Sequence, residues 1–332
     1  MKKEEIIEKL KKSELTGRGG AAFPTCLKWQ LVKNAKADKK YIICNGSEGE
    51  PGVFKDRFIL KHFPEEVING IRVALGTIDK SEAIIYLRHD YYKKFGKKLK
   101  KLIGVSPITL FKKTGGYLAG EESVVCQSIE GGTLEPRIKP PFTSEVGLHG
   151  KPTLVNNVET FYYVSKIQKG EYEKTRFYSI SGDVKNKGVY EYPVDWTILR
   201  ILMESKNLPD FDPTADEIDF FVQIGGGSCG NILLPNELDT PATGQAAIII
   251  YNTKKTDLWK LMQSWVDFFY KENCDKCVPC REGIYRIKEM VDKKSIDKEK
   301  LANIHMSMQK SSFCGLGKMA TCPFKDVSDK LL

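Results

Sequence analysis

Residues 272–283 read "ENCDKCVPCREG", which places Cys274, Cys277 and Cys280 at two equal spacings. Three thiols set two residues apart can share a metal centre from one side of a turn, but a tetrahedral ion or a cubane cluster needs a fourth ligand. The stretch also fixes its surroundings. It follows "TDLWKLMQSWVDFFYKEN" (256–273), in which Leu258, Leu261, Met262, Trp265, Phe268 and Phe269 recur at helical spacing. A small helical bundle that carries the cysteines is therefore expected over residues 254–332.

The candidates for the fourth ligand are Cys314 and Cys322, both in "SSFCGLGKMATCP" (311–323), and His305. A zinc site would usually pair one C-x-x-C with a second one or with H-x-x-x-H, and the chain has neither second half. Three closely spaced cysteines plus one distant one suit a [4Fe–4S] cluster instead. Cys322 precedes Pro323, as the last cysteine does in bacterial ferredoxin runs, so spacing alone leaves the fourth ligand open. Cys26, Cys44, Cys126 and Cys229 have no second cysteine nearby and read as buried thiols.

Upstream of the bundle the pattern changes twice. Between 172 and 253, "RFYSISGD" (176–183), "GVYEYP" (188–193), "DFFVQIGGG" (219–227) and "AAIIIYN" (246–252) are short β-rich runs separated by turn residues, with "TILRILMES" (197–205) as one helix among them. This reads as a small β-rich domain wrapped on a helix. Over residues 1–165, strand-like "YIIC" (41–44) and "AIIYL" (83–87) alternate with helical stretches, as in an α/β layer fold.

Composition sets the class. The chain has 332 residues, 41% of them hydrophobic, and no apolar run long enough for a membrane span, while its first fifteen residues are charged and amphipathic where a signal peptide needs an apolar block. A soluble cytoplasmic protein without direct membrane insertion is expected, at most peripheral on the cytoplasmic side of a membrane complex. Nine cysteines, an odd number with three clustered, fit reduced thiols and metal binding. Lys and Arg exceed Asp and Glu, with "KKFGKKLKK" (93–101) the densest run. No aromatic interleaving accompanies these lysines, so they read as a solvated helix face rather than a nucleic-acid patch. A basic surface can also attract an acidic electron carrier.

The glycine-rich segments are informative mainly in combination. "LTGRGGAAFPTCLKW" (15–29) approaches G-x-G-x-x-G/A through Gly17, Gly19 and Ala22, but a helix precedes it where a Rossmann fingerprint needs a strand. Its glycines still let backbone N–H groups approach a phosphate or a flat ring, and Arg18 and Lys28 add positive charge. "GGGSCG" (225–230) matches G-x-S-x-G, but "NILLPNE" follows it, so no helix completes a nucleophile elbow and a loop is expected. "CNGSEGEPGVFKDR" (44–57), "TGGYLAGEESVV" (114–125) and "GKPTLVNNVET" (150–160) bring acids and amides beside glycines, which suits sugar hydroxyls and heteroaromatic edges.

Taken in order, "GRGGAAFPTCLKW", "CNGSEGEPGVFKDR", "GGYLAGEESVVCQSIEGG", "PPFTSEVGLHGKPTLVNNVET", "CDKCVPCREG" and "FCGLG" closely resemble the NADH-binding flavoprotein subunit of respiratory complex I, a module similar to one in NAD-linked hydrogenases and formate dehydrogenases. The resemblance runs from about residue 14 to residue 320. It implies an FMN-binding α/β domain, a ubiquitin-like β-grasp (soluble ligand-binding) domain and a C-terminal helical bundle with one [4Fe–4S] cluster, and it assigns the fourth ligand to Cys314 beside Cys274, Cys277 and Cys280. Gly17, Arg18, Gly19, Lys28, Asn45, Glu48, Tyr117, Gly120, Glu121, Asn156, Asn157 and Thr160 fall on the family's FMN motifs. Phe23, Glu50, Glu122 and Phe142 fall on its NADH site. Phe23 and Phe142 would stack on adenine; Glu122 would accept ribose hydroxyls and, with nearby carboxylates, disfavour NADPH.

The implied activity is NADH oxidation by hydride transfer to FMN, with single electrons passing to the cluster and on to partner subunits; no side-chain nucleophile or general base is expected. Ser47, Leu31, Ala119 and His149 depart from the family's usual Asp, aromatic, Cys and Trp. These departures and the basic surface motivate a second reading in which ferredoxin or another carrier replaces NADH. A thioredoxin-like [2Fe–2S] subunit is the implied partner, and a zinc or nucleic-acid-binding protein is the remote alternative.

Overall fold

The run "KYIICNG" (40–46) is buried along nearly its whole length, as a strand in a sheet covered on both faces is. The computed structural model describes residues 3–210, 218–242, 244 and 246–332. Through the first half of the chain the elements are α1 (Lys3–Lys12), α2 (Thr25–Asn34), β1 (Lys40–Gly46), α3 (Lys55–His62), α4 (Pro64–Thr77), β2 (Ser81–Leu87), α5 (His89–Ile103), β3 (Ile108–Lys112), α6 (Glu122–Glu130), β4 (Thr153–Asn157) and α7 (Val158–Lys169). The sheet has the order β3-β2-β1-β4 and every pairing is parallel. Parallel strands require crossovers, and α3 to α5 supply them. The lysine run of α5 lies on its exposed side, while Tyr91, Phe95, Leu99 and Ile103 are buried at helical spacing, so the dense positive charge is the solvated face of an amphipathic helix.

The second half contains β5 (Thr175–Gly182), β6 (Gly188–Pro193), α8 (Ile198–Glu204), β7 (Phe220–Ile224), β8 (Asn231–Leu233) and β9 (Ala247–Asn252), followed by α9 (Leu258–Glu272), α10 (Val278–Asp292), α11 (Lys298–Ser311), α12 (Gly315–Met319) and α13 (Cys322–Lys330). The mixed sheet has the order β6-β5-β9-β7-β8, with β5 and β9 parallel at its centre and β7 antiparallel to both its neighbours. Ile198, Ile201 and Leu202 of α8 pack with Tyr178, Ile180, Val222, Ile248 and Ile250 of the sheet, so a helix lies in the grasp of the strands. The helices that follow form the bundle, with Trp265 of α9 meeting Phe324 of α13 edge to face at 5.7 Å.

The chain divides into two units, Met1–Gly49 with Phe54–Arg176 and Glu50–Val53 with Phe177–Leu332. The short piece from Glu50 to Val53 thus packs with the second unit, although the α/β layer flanks it in sequence. Among the described residues no helix is long and apolar enough to cross a membrane.

Candidate functional site

In the first unit the motifs come together at the carboxyl ends of β1 and β4, where open parallel sheets place their ligands. Parallel pairing aligns Cys44 with Asn156 and Asn45 with Asn157. From there a ring of contacts runs through four segments that are distant in sequence. The Arg18 amide donates to Thr160 Oγ1 at 3.0 Å. Asn157 Nδ2 donates to the Asn45 carbonyl at 3.4 Å, and Asn45 Nδ2 donates to the Gly120 carbonyl at 2.9 Å. Lys28, beyond the glycine-rich loop, closes the ring with an ion pair to Glu122 at 2.7 Å. Gly17, Gly19, Asn45, Tyr117, Gly120 and Asn157 all remain at least partly exposed on it.

Three helices begin at this ring, and their first turns explain several of the polar residues. Glu48 Oε1 accepts from the Asp56 amide at 2.8 Å and Oε2 from the Arg57 amide at 3.2 Å, so it caps α3 from a distance. Glu121 caps α6 through the amides of Ser123 and Val124. Asn157 caps α7 through the Glu159 amide. Each cap satisfies orphan N–H groups, and each helix turns its positive end toward the ring, a field that suits a phosphate. The caps are also largely occupied by this work. Asn157 Oδ1 accepts from the Glu159 amide and from Lys55 Nζ, both at 3.0 Å, and its Nδ2 donates to Asp56 Oδ2 at 2.7 Å as well as to Asn45. Two lone pairs and two hydrogens are the full capacity of an amide side chain. Asn156 differs: Trp29 Nε1 donates to its Oδ1 at 3.0 Å, and its Nδ2 has no hydrogen bond among the described residues.

Two side chains are placed differently from their expected use. The Arg18 guanidinium is buried and turned to Tyr172 Oη at 3.0 Å, the Thr175 carbonyl at 3.3 Å and the face of Tyr163, so what Arg18 offers the ring is its backbone. Glu122 sits between Lys28 and Lys139, at 2.7 and 2.8 Å, and Lys139 also pairs with Glu121 at 2.7 Å. Burial alone would raise the Glu122 carboxyl, but the two lysines overcome it and bring it down to about 2. The four groups sum to zero charge, so the repulsion of a 2′-phosphate expected from the carboxylates here is offset by the two lysines. Phe23 and Phe142 are both about half exposed, as ring faces awaiting a partner would be.

Beneath Asn157 lies a buried ionic group that the sequence motifs did not flag. Lys55 is 1% exposed and pairs with Asp56 at 2.7 Å and Glu159 at 3.0 Å, which are 2% and 0% exposed. Burial disfavours the ammonium, but Asp56, Glu159 and Glu48 outweigh that and keep it charged. Glu48 is next in line: burial and then Asp56 push its carboxyl up to about 7, against the pull of Lys55, of the Tyr91 hydroxyl at 2.5 Å and of the Asp56 amide. The local signal for this group is faint. "FKDR" (54–57) and the Glu of "NNVET" (156–160) read as surface charge until the tertiary contacts exist.

In the second unit Glu50 is buried, and its Oε1 accepts from the amides of Ser228 at 2.8 Å and Cys229 at 3.2 Å. The glycines of "GGGSCG" make this possible, because a Cβ on Gly226 would overlap the Glu50 side chain. The expected NADH residues are therefore divided, with Phe23, Glu122 and Phe142 in the first unit and Glu50 in the second.

The four cysteines gather at two helix starts of the bundle. Cys274 is the middle residue of an Asx turn in which Asn273 Oδ1 accepts from the Asp275 amide at 2.9 Å; Cys277 is the N-cap of α10, Cys280 lies in its first turn, and Cys314 is the N-cap of α12. Gly317 lets α12 approach, since a Cβ there would come within 3.1 Å of Cys280 Cβ. The Cys280 thiol is raised first by burial and then by Cys277, Cys314 and Cys274, which puts those three within electrostatic reach of Cys280. Iron resolves that cost by binding the thiolates, and the two helix N-termini favour the negative cluster. Among the described residues no three His, Cys, Asp or Glu side chains converge on a single ion. Cys322, at the start of α13, has Asp326 as its principal charged neighbour and contributes to raising Cys229, while His305 Nδ1 lies 2.6 Å from Thr321 Oγ1.

Known proteins resemble this chain over nearly its whole length. Residues 10–166 match the family described as the Nuo51 FMN-binding domain, and residues 260–330 match the NADH-ubiquinone oxidoreductase-F iron-sulfur binding region. The chain is 33% identical over 374 residues to the alpha subunit of the NAD-reducing hydrogenase HoxS of Cupriavidus necator, covering 99% of this chain and 60% of that one. It is 32% identical over 354 residues to the F-type subunit of the NADH-quinone oxidoreductase of Aquifex aeolicus, covering 96% and 82%. A crystal structure of NAD+-reducing [NiFe]-hydrogenase in the H2-reduced state superposes with a TM-score of 0.89 at 28% identity, over 99% of this chain and 61% of that one. The chain thus spans about three fifths of the hydrogenase subunits it matches and more than four fifths of the Aquifex protein.

Proposed function

Because the chain belongs to the family of F-type NADH-quinone oxidoreductase subunits, with that family's FMN-binding domain and iron–sulfur region, we propose that it is the electron-input component of a larger redox assembly, oxidising NADH at FMN and passing electrons on through a [4Fe–4S] cluster. The observation that carries this reading is the closed ring Arg18–Thr160, Asn157–Asn45, Asn45–Gly120 and Lys28–Glu122 at the carboxyl ends of β1 and β4, with three helix N-termini turned toward it.

FMN fits the residues present. The loop of Gly17, Gly19 and Gly20 offers backbone N–H groups without side chains in the way, the starts of α3, α6 and α7 favour a phosphate, and Asn156, through its amide nitrogen, and Tyr117 offer hydrogen-bonding edges. Bound FMN supplies the exchange between paired and single electrons. The protein's own part is to hold and to exclude: Asn157, Glu121 and Glu48 fix the helix starts, Lys28 and Lys139 hold Glu122 ionised, and Phe23 and Phe142 offer stacking faces for an adenine. Cys274, Cys277, Cys280 and Cys314 would hold the cluster. None of these side chains has to act as an acid or base.

The test is anaerobic reconstitution with FMN and iron and sulfide, followed by titration with NADH. The flavin absorbance is expected to bleach at micromolar to millimolar NADH, followed by cluster reduction. A holoprotein whose flavin stays oxidised under NADH but is bleached by reduced ferredoxin would replace the donor in this reading.

A further inference from the structure

Lys55 lies on none of the positions expected to touch FMN or NADH, yet it is tied to the residues that are. Its ammonium donates to Asp56 Oδ1 at 2.7 Å and Asn157 Oδ1 at 3.0 Å, and forms an ion pair with Glu159 Oε2 at 3.0 Å. Asn157 in turn caps α7, holds the Asn45 carbonyl and accepts no further donor. One helical turn on, Thr160 takes the Arg18 amide of the glycine-rich loop. The ammonium therefore sits at the root of the ring, and it is the cation to which the buried carboxylates of Asp56 and Glu159 are paired, with Glu48 bonded to the Asp56 amide.

We propose that Lys55 is a positioning residue that poises the flavin: its buried positive charge, delivered beneath Asn157, favours the reduced, more negative state of the cofactor bound at the ring. The physical reason is that a charge 1% exposed is poorly screened by water or salt, so its field reaches the pocket where that of a surface lysine would not. What the cofactor senses is the one positive unit that Lys55 sets against the carboxylates of Asp56 and Glu159, rather than any contact with the ring system. The inference rests on FMN binding at this ring, and the experiment separates the two.

The measurement is the flavin reduction potential of the reconstituted protein by spectroelectrochemistry. Lys55→Met is expected to shift the oxidised-to-reduced equilibrium at least tenfold toward the oxidised form, which is about 30 mV for a two-electron couple. The double variant Lys55→Met with Glu159→Gln removes one charge of each sign and is expected to return the potential to within threefold of wild type, although the grip on Asn157 is still missing. Should Lys55→Met fail to fold, Glu159→Gln alone removes one negative charge and must shift the equilibrium toward the reduced form. A wild-type potential in Lys55→Met, a double variant displaced as far as the single one, or a Glu159→Gln variant that leaves the potential unmoved would each overturn the proposal. Wild-type protein that takes up no flavin would instead overturn the reading on which it rests.

Discussion

The ring at β1 and β4 and the cysteine centre at α10 and α12 are both sites built at helix starts, but they are built in opposite ways. At the cysteine centre three of the four thiols come from one stretch of seven residues, and each cysteine has one purpose. At the ring the polar residues come from segments 75 to 142 residues apart, and most of their hydrogen-bonding capacity is spent on one another. The cysteines are assembled to be completed by a ligand. The ring is largely complete before one arrives, which is what preorganisation of a binding site requires.

The sharpest way to break this comparison is to remove one thiol. Cys314→Ser, or Cys280→Ser, is expected to abolish the [4Fe–4S] cluster, taking iron from about four per chain toward zero while FMN is retained in the first unit. Cys322→Ser, whose neighbours are Asp326 and Cys229, is expected to keep full iron. Iron and flavin content of the purified variants decide it. Loss of iron in Cys322→Ser with retention in Cys314→Ser would exchange the two residues.

How much of each site could be read beforehand follows from the same contrast. Cys274, Cys277 and Cys280 declare themselves because turn spacing and ligand spacing coincide; Cys314, the fourth ligand proposed here and 34 residues further on, rests on the family resemblance and on its N-cap position at α12, which is invisible in "FCGLG". The α/β layer was legible because strand-like "YIIC" (41–44) and "AIIYL" (83–87) alternate with helical stretches, whereas the strand order was not read. The motif residues of the ring could be located but not given their work: nothing in "VNNVET" says that the Asn156 amide nitrogen is left for a ligand while Asn157 is saturated, since that depends on Lys55 and Asp56, a hundred residues away. The pairing of Glu122 with Lys139 had no local signal, because Lys139 lies beyond the helix that Glu122 starts. The role of "GGGSCG" as the seat of Glu50 had no local signal either.

A second, smaller effect tests whether neighbouring asparagines really divide their labour. Asn157→Ala leaves Lys55, Asp56 and the Glu159 amide each short of a buried partner and is expected to cost about 2–4 kcal/mol of stability, given the charged groups involved. Asn156→Ala deprives only the Trp29 indole and is expected to cost about 1–2 kcal/mol while weakening FMN binding by the worth of a hydrogen bond, about tenfold or less. Chemical denaturation and FMN titration of both variants check this. If Asn157→Ala were the one that bound FMN poorly at unchanged stability, the saturated amide would not describe the working state.

The smallest effect concerns pH and again sets the ring apart, because its acids are paired with the protein rather than with a ligand. Glu48 faces Asp56 and Lys55 on α3, Tyr91 on α5, and Arg88, whose Nη1 donates to the Glu48 carbonyl at 2.5 Å. Its folded value is raised to about 7 from the ordinary 4.5, so between those values the folded chain holds a proton that the unfolded chain has lost. Stability therefore has its full Glu48 contribution below about pH 4.5 and loses it as pH rises through 7, by at most ~3 kcal/mol and by less where Asp56 shares the proton. Glu48→Gln mimics the protonated form and is expected to flatten that part of the curve, so that wild type and variant differ more at pH 8 than at pH 5. Thermal melts across this range decide it: parallel curves would mean that Glu48 is ionised throughout, with Lys55 and the start of α3 strong enough to hold two carboxylates at once.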